Sequence, residues 1–298
     1  MSAPSAAGRD PGAPRAPLHV AGPDGPWDEA VDRLDDTGWT VVCTTWGQWL
    51  TAALLDPGLR PLLGHDWPRY RQTPAAAGRM RFAVSRFVIK HTAATALDVP
   101  AHTLDLGYLP GGRPVLRGLG GELEISLAHT DELIVVGVSR SGPLGVDAEP
   151  ADRDVSFELL RDHVCTPEEA RELGGLPEEE RRARLLELWT LKEAYTKALG
   201  HGLRRSFTSF GFRADGRGRR VPTDGPHGGW SLASHRVQDR YLVSTAHLRR
   251  TAAVPAPGVD GGSRSGAAPL EERGVGREGQ LRFLGPVTSG WGKGRRTP

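Results

Sequence analysis

The chain of 298 residues carries 38 Lys and Arg against 36 Asp and Glu, a formal net charge of +2, and 38% of its residues are hydrophobic. That near balance gives no global signature of nucleic-acid binding, no apolar run approaches the length of a membrane span, and the apolar content suffices for a buried core. Residues 251–298 hold seven Lys and Arg against four Asp and Glu, which leaves the rest of the chain at about −1.

The first stretch, 1–36, is rich in Pro, Gly, Ala and Asp and reads as a disordered lead-in. It has no apolar segment of the kind a secretory signal needs. The two cysteines, Cys43 and Cys165, lie outside any metal-binding spacing, and a reduced, cytoplasmic protein is the simplest expectation. Order is expected from Gly38–Trp46, a β-branched run typical of a strand. A short helix follows and stops at Pro57–Gly58. The first long helix is expected over 78–100, where Phe82, Ser85, Arg86, Ile89 and Ala93 recur at helical spacing and Pro100 closes it. Residues 104–116 read as strand, Gly-Gly turn and strand. Two further strands, 122–130 and 132–139, precede the segment GVDAEP at 145–150.

Beyond it, Phe157, Leu160 and Val164 are spaced as on a helix. Thr166, Pro167 and Glu169 form the start of another, with a capping box. A charged segment leads into LLELWTLKEAYTKALGHG, an amphipathic helix ended by Gly200 and Gly202. Three strand-like runs and an aperiodic Gly, Pro, Ser and Arg tail complete the chain. The order of elements predicts an α+β fold of two similar halves, 37–145 and 146–250, followed by a disordered tail over 251–298.

Chemistry concentrates in two places. Asp147 and Glu149 alternate with Ala148 on a strand and so share one face. Side by side and half-buried they repel, unless one takes a proton or a cation sits between them. Mg²⁺ suits such a pair, since it prefers a few carboxylates together with water and phosphate oxygens. The plainer alternative is a strand end with two solvated acids. On the last long helix, Leu188, Leu191, Tyr195 and Leu199 form an apolar stripe, with Glu193 and Lys197 nearly opposite. A surface ion pair would explain those two. Leu186 and Trp189 flank Glu193, however, as in a cleft wall. His129 at a strand end, Arg113 beside glycines and the arginines Arg69, Arg71, Arg79 and Arg81 suit an anionic ligand. No Walker A or GxGxxG motif is present.

GVDAEP, followed about forty residues later by WTLKEAYTKALGHGL, resembles the 4′-phosphopantetheinyl transferases, in particular the larger, monomeric, surfactin-synthetase-activating type. RFAVSRFVIK, GRPVL, ISLAHT and CTPEE are similar to other parts of that family, and the resemblance covers roughly 65–247. It implies a pseudo-twofold α/β fold with coenzyme A between the halves. It assigns Asp147, Glu149 and Glu193 to Mg²⁺, Lys197 and Lys192 to the pyrophosphate, and Arg81, Arg113 and His129 to coenzyme A phosphates. Glu193, Lys197 and Asp147 become the catalytic candidates. The implied reaction moves the phosphopantetheine arm onto a serine of an apo acyl or peptidyl carrier protein and releases adenosine 3′,5′-bisphosphate, with no nucleic-acid or membrane partner. Arg113 stands where Lys is common, and Ala148 where some members carry a larger residue. Two rivals remain: a metal-dependent phosphohydrolase or nuclease built on the same acids, and a non-catalytic nucleic-acid binder using the basic tail.

Overall fold

The computed structural model describes residues 14–109, 112–118, 123–200, 205–224 and 229–250. Helices and strands are mixed in an α+β arrangement built on two larger sheets. The tail expected to be disordered, and Gly202 at the expected end of the last long helix, lie outside the described residues.

Order begins well before Gly38, which corrects the expected lead-in. β1 (Leu18–His19) pairs in parallel with β2 (Trp39–Thr45), and α1 (Trp27–Thr37) buries Ala30 and Leu34. Trp27 meets Trp49 edge-on, and the Trp49 indole N–H donates to the Val20 carbonyl at 2.9 Å. The polar composition of this stretch hides an apolar spacing of three and four, Trp27–Ala30–Leu34, which suffices for one buried helix face.

α2 (Trp46–Leu55) opens with a capping box, in which Gln48 reaches back to Thr45. The short helices α3 (Leu59–Leu63) and α4 (Trp67–Gln72) lead to α5 (Ala76–Leu97). The small ladder of β3 (Leu106–Tyr108) and β4 (Pro114–Leu116) supplies the two strands expected over 104–116. β5 (Glu124–Thr130) and β6 (Leu133–Ser139) form a hairpin, and the first sheet has the order β1-β2-β6-β5. Its continuation, β7 (Leu144–Pro150), belongs to the second sheet, β10-β11-β7, with β10 (Trp230–Val237) and β11 (Tyr241–Leu248). Between them come α6 (Phe157–Val164), α7 (Pro167–Gly174), α8 (Glu178–Ala198) and a small ladder of β8 (Phe212–Ala214) and β9 (Arg220–Pro222). The capping box at Thr166 and Glu169 is present as expected.

β5 and β7 are the neighbouring edges of the two sheets. They are not laddered, but the Ser126 hydroxyl accepts the Val146 N–H at 3.0 Å and ties one to the other. Strand alternation then sorts the side chains. Ala128, Leu144, Val146 and Ala148 join Val41, Cys43, Val135 and Val243 in one core on the inner face. Ile125 belongs to the core beneath α5, with Leu127 packed against it. On β7, Gly145 lies against α8, so Asp147 and Glu149 share the α8 face. Both thiols, Cys43 and Cys165, are buried and unpaired.

The approach of β7 to α8 requires glycine at 145. A Cβ there would lie 1.8 Å from the Ala194 carbonyl oxygen and 2.6 Å from the Ala198 nitrogen. Gly145→Ala is expected to cost at least about 3 kcal/mol. Gly47→Ala is the contrast: a Cβ at Gly47, within α2, meets nothing within 4 Å, and the change is expected to stabilise by up to about 1 kcal/mol. Urea denaturation of the two variants checks the opposite signs.

Candidate active site

The site is assembled where β5, β7 and α8 adjoin. β7 presents Asp147 and Glu149, each 9% exposed, on the face that α8 covers. α8 runs antiparallel to β7: Ala198 lies beside Gly145, and Trp189 beside the segment that follows Glu149. This pairing brings Glu193 and Lys197 opposite the two strand carboxylates. Lys197 Nζ donates to Asp147 Oδ1 at 2.7 Å and to the Val146 carbonyl at 3.1 Å. Its ion pair is therefore with Asp147 across the cleft, and not with Glu193 one turn away. Burial works against the Lys197 charge, but Asp147 and Glu193 outweigh it, and its pKa is raised.

Glu193 carries the excess negative charge. Burial first, then repulsion from Asp147 and Glu149, pushes its pKa up to about 7, against the pull of Lys197. Burial also raises Glu149, opposed by the hydrogen bond and charge of Arg153. Glu149 accepts from Arg153 in a close ion pair, and the Arg153 guanidinium lies 5.3 Å from the centre of the Trp189 ring.

The other predicted residues distribute around this centre. His129, on the edge strand β5, lies within electrostatic reach of Lys197, Arg86 and Asp147. Arg113 binds Glu124 at 2.6 Å and approaches the Ala198 carbonyl, next to Lys197, at 3.5 Å. Arg81 lies over the Trp46 ring at 4.9 Å. The Trp46 backbone N–H in turn donates to the Glu132 carbonyl, in the turn after β5.

Lys192 does not join them, which corrects its expected place at the pyrophosphate. It is fully buried, and Nζ is held by Glu169 at 2.6 Å, by the Val164 and Phe207 carbonyls at 2.8 Å and by the Phe210 carbonyl at 2.9 Å. The reason is helical geometry: successive residues are turned by about 100°, so Lys192 and Glu193 cannot share a face. Lys192 instead ties α8 to α7 and to the turn before β8, and so fixes the rotation that directs Glu193 into the cleft.

Sequence reasoning passed over Arg153 and the Arg86 network. Arg86 Nε binds Asp66 at 2.9 Å, and Tyr108 donates to the same carboxylate oxygen at 2.6 Å. Arg86 occupied an apparently apolar helical position, and Arg153 follows Glu149 in a segment without periodicity. Neither carries a sequence signal beyond its charge.

Among the described residues, no three His, Cys, Asp or Glu side chains converge to hold a metal ion. The donor set still fits a hard divalent cation: three carboxylates share one cleft, and Arg153 and Lys197 pair with only two of them.

Residues 143–246 match the model of the 4'-phosphopantetheinyl transferase superfamily. A putative 4'-phosphopantetheinyl transferase of Synechocystis sp. is 29% identical over 151 residues, 50% of this chain and 61% of its own length. The 4'-phosphopantetheinyl transferase HetI of Nostoc sp. is 29% identical over 127 residues, 42% of this chain and 54% of its own. The chain thus spans a little over half the length of the curated relatives it matches. A holo-(acyl-carrier-protein) synthase from Bacillus anthracis, solved with CoA (3',5'-ADP), aligns with 37% of this chain and 98% of its own at 21% identity and a TM-score of 0.32. No helix among the described residues is long and apolar enough to cross a membrane.

Two outcomes follow. Lys192→Met leaves Glu169 buried without its cation and is expected to destabilise by about 3 kcal/mol or more, read by chemical denaturation; a phosphate ligand at the surface would leave stability unchanged. Glu193 has a folded pKa of about 7 against an ordinary 4.5, so the folded state holds its proton more tightly than the unfolded chain. Stability contributed by the neutral carboxyl is therefore lost as pH rises through this window. In chelator, Glu193→Gln should melt above the parent at pH 8, and the difference should vanish near pH 4.

Proposed function

We propose that the chain transfers the 4′-phosphopantetheine arm of coenzyme A to a serine of an apo carrier protein and releases adenosine 3′,5′-bisphosphate. The observation that carries this reading is the gathering of Asp147, Glu149, Glu193 and Lys197 at the contact of β7 and α8, within the segment that matches the superfamily. We take the enzyme to be of the larger, single-chain, surfactin-synthetase-activating kind, with two halves related by a pseudo-twofold. One long helix across one sheet in each half, α5 and α8, supports that arrangement.

Asp147, Glu149 and Glu193 would hold Mg²⁺, which when bound supplies charge neutralisation for a pyrophosphate. The chain's own groups do the rest. Arg113, Arg81 and His129 bind and orient the anionic substrate from the first half. Glu193 is the group placed to take the serine proton, directly or through a water. The serine oxygen then bonds to the phosphorus that bears the pantetheine arm, and the bond from that phosphorus to the bridging oxygen breaks. The electron pair leaves on the bisphosphate, where Lys197 stabilises the developing charge. Positioning accounts for much of the rate, because both substrates are held at one cleft.

Intact-mass measurement of apo carrier domains with coenzyme A, Mg²⁺ and the protein tests this. The expected result is a mass gain of one phosphopantetheine arm, with Lys197→Gln slowing single-turnover transfer about a hundredfold or more while coenzyme A affinity changes less. No gain on fatty-acid, polyketide or peptide carriers would overturn the reading, and phosphate release without a carrier would favour a phosphohydrolase.

A further inference from the structure

The two cations in the cleft are held differently. Lys197 extends from α8 and is fixed by the main chain, through the Val146 carbonyl, as well as by Asp147. Arg153 comes from the segment after β7, and its side chain is 25% exposed. Its guanidinium has two partners: NH1 donates to Glu149 Oε1, and the group lies over the Trp189 ring, one turn before Glu193 on α8. Among the described residues, no main-chain carbonyl holds it.

Glu149 Oε1 is among the oxygens that a divalent cation held by Asp147, Glu149 and Glu193 would approach. A guanidinium and a divalent cation cannot both sit against it without strong repulsion at a few ångströms. The guanidinium has an alternative at small cost, because the Trp189 face and the solvent lie beside it, and a cation over an indole ring keeps part of its stabilisation. The Lys197 side chain is no less exposed, at 30%, but its bond to the Val146 carbonyl ties it to the main chain as well as to a carboxylate.

We propose that Arg153 is a displaceable counterion. It holds Glu149 in the cleft when no divalent cation is bound, and it competes with that cation for the same carboxylate. Arg153 is thereby a positioning residue, acting through Glu149. The proposal rests on the reading of Asp147, Glu149 and Glu193 as a cation site.

Calorimetric titration of Mn²⁺ into the full chain, without coenzyme A, tests it on the parent, Arg153→Gln and Arg153→Lys. Removing the charge is expected to tighten Mn²⁺ binding at least about fivefold in Arg153→Gln and to enlarge the rise in melting temperature that Mn²⁺ produces. Arg153→Lys keeps the charge but loses the planar stack and should bind at least about twofold more tightly than the parent; it carries the test if the Gln variant does not fold. Equal or weaker binding in the variants, with clear binding in the parent, overturns the competition while leaving the cation site standing. Absence of binding in all three overturns the cation site and the proposal with it.

Discussion

Gly145 has no side chain, and the carbonyl oxygen of Ala194 lies where one would be, 1.8 Å from the position of a Cβ. Through this contact the backbone of β7 touches the backbone of α8, and the cleft depends on it. The strand brings Asp147 and Glu149 on alternate residues, the helix brings Glu193 and Lys197 one turn apart, and the contact sets the distance between the two pairs. Lys192 then fixes the rotation of the helix, with four acceptors around one buried ammonium. A structural lysine and a chemical carboxylate thus stand next to each other in sequence and diverge by about 100° around the helix.

The charges in the cleft are balanced only in part. Three carboxylates meet two cationic side chains, and burial together with repulsion from Asp147 and Glu149 raises the pKa of Glu193 to about 7. A site of this kind is not optimised for stability, since burial of like charges costs free energy that packing elsewhere must offset. What it gains is readiness. A carboxylate in such a cleft can accept a proton from an incoming hydroxyl, and a carboxylate whose partner can give way, as Glu149 with Arg153, can accept a hard cation.

The long helices and the strands were legible because their periodicities are regular: Phe82 to Ala93 on α5, Leu188 to Tyr195 on α8, and the β-branched run of β2. The capping box at Thr166 and Glu169 was legible for the same local reason. α1 was hidden, since only Trp27, Ala30 and Leu34 carry its buried face among Asp, Glu and Arg. At the cleft, the shared face of Asp147 and Glu149 followed from strand alternation alone. The misplacement of Lys192 came from carrying a motif over as a block, although adjacent helical residues diverge. Arg153 and the Asp66–Arg86–Tyr108 network were invisible, because tertiary contacts between residues far apart in sequence, or in an aperiodic segment, decide where those side chains go.

The account turns on whether the carboxylates of β7 and α8 jointly hold a divalent cation beside a bound pyrophosphate. Anomalous diffraction from crystals of the full chain grown with coenzyme A and Mn²⁺ addresses this most directly. The expected map has one Mn²⁺ peak bonded to oxygens of Asp147, Glu149 and Glu193, with the pyrophosphate in contact with the ion and with Lys197. A bound coenzyme A whose pyrophosphate lies away from β7 and α8, or a Mn²⁺ peak at other residues, would contradict it.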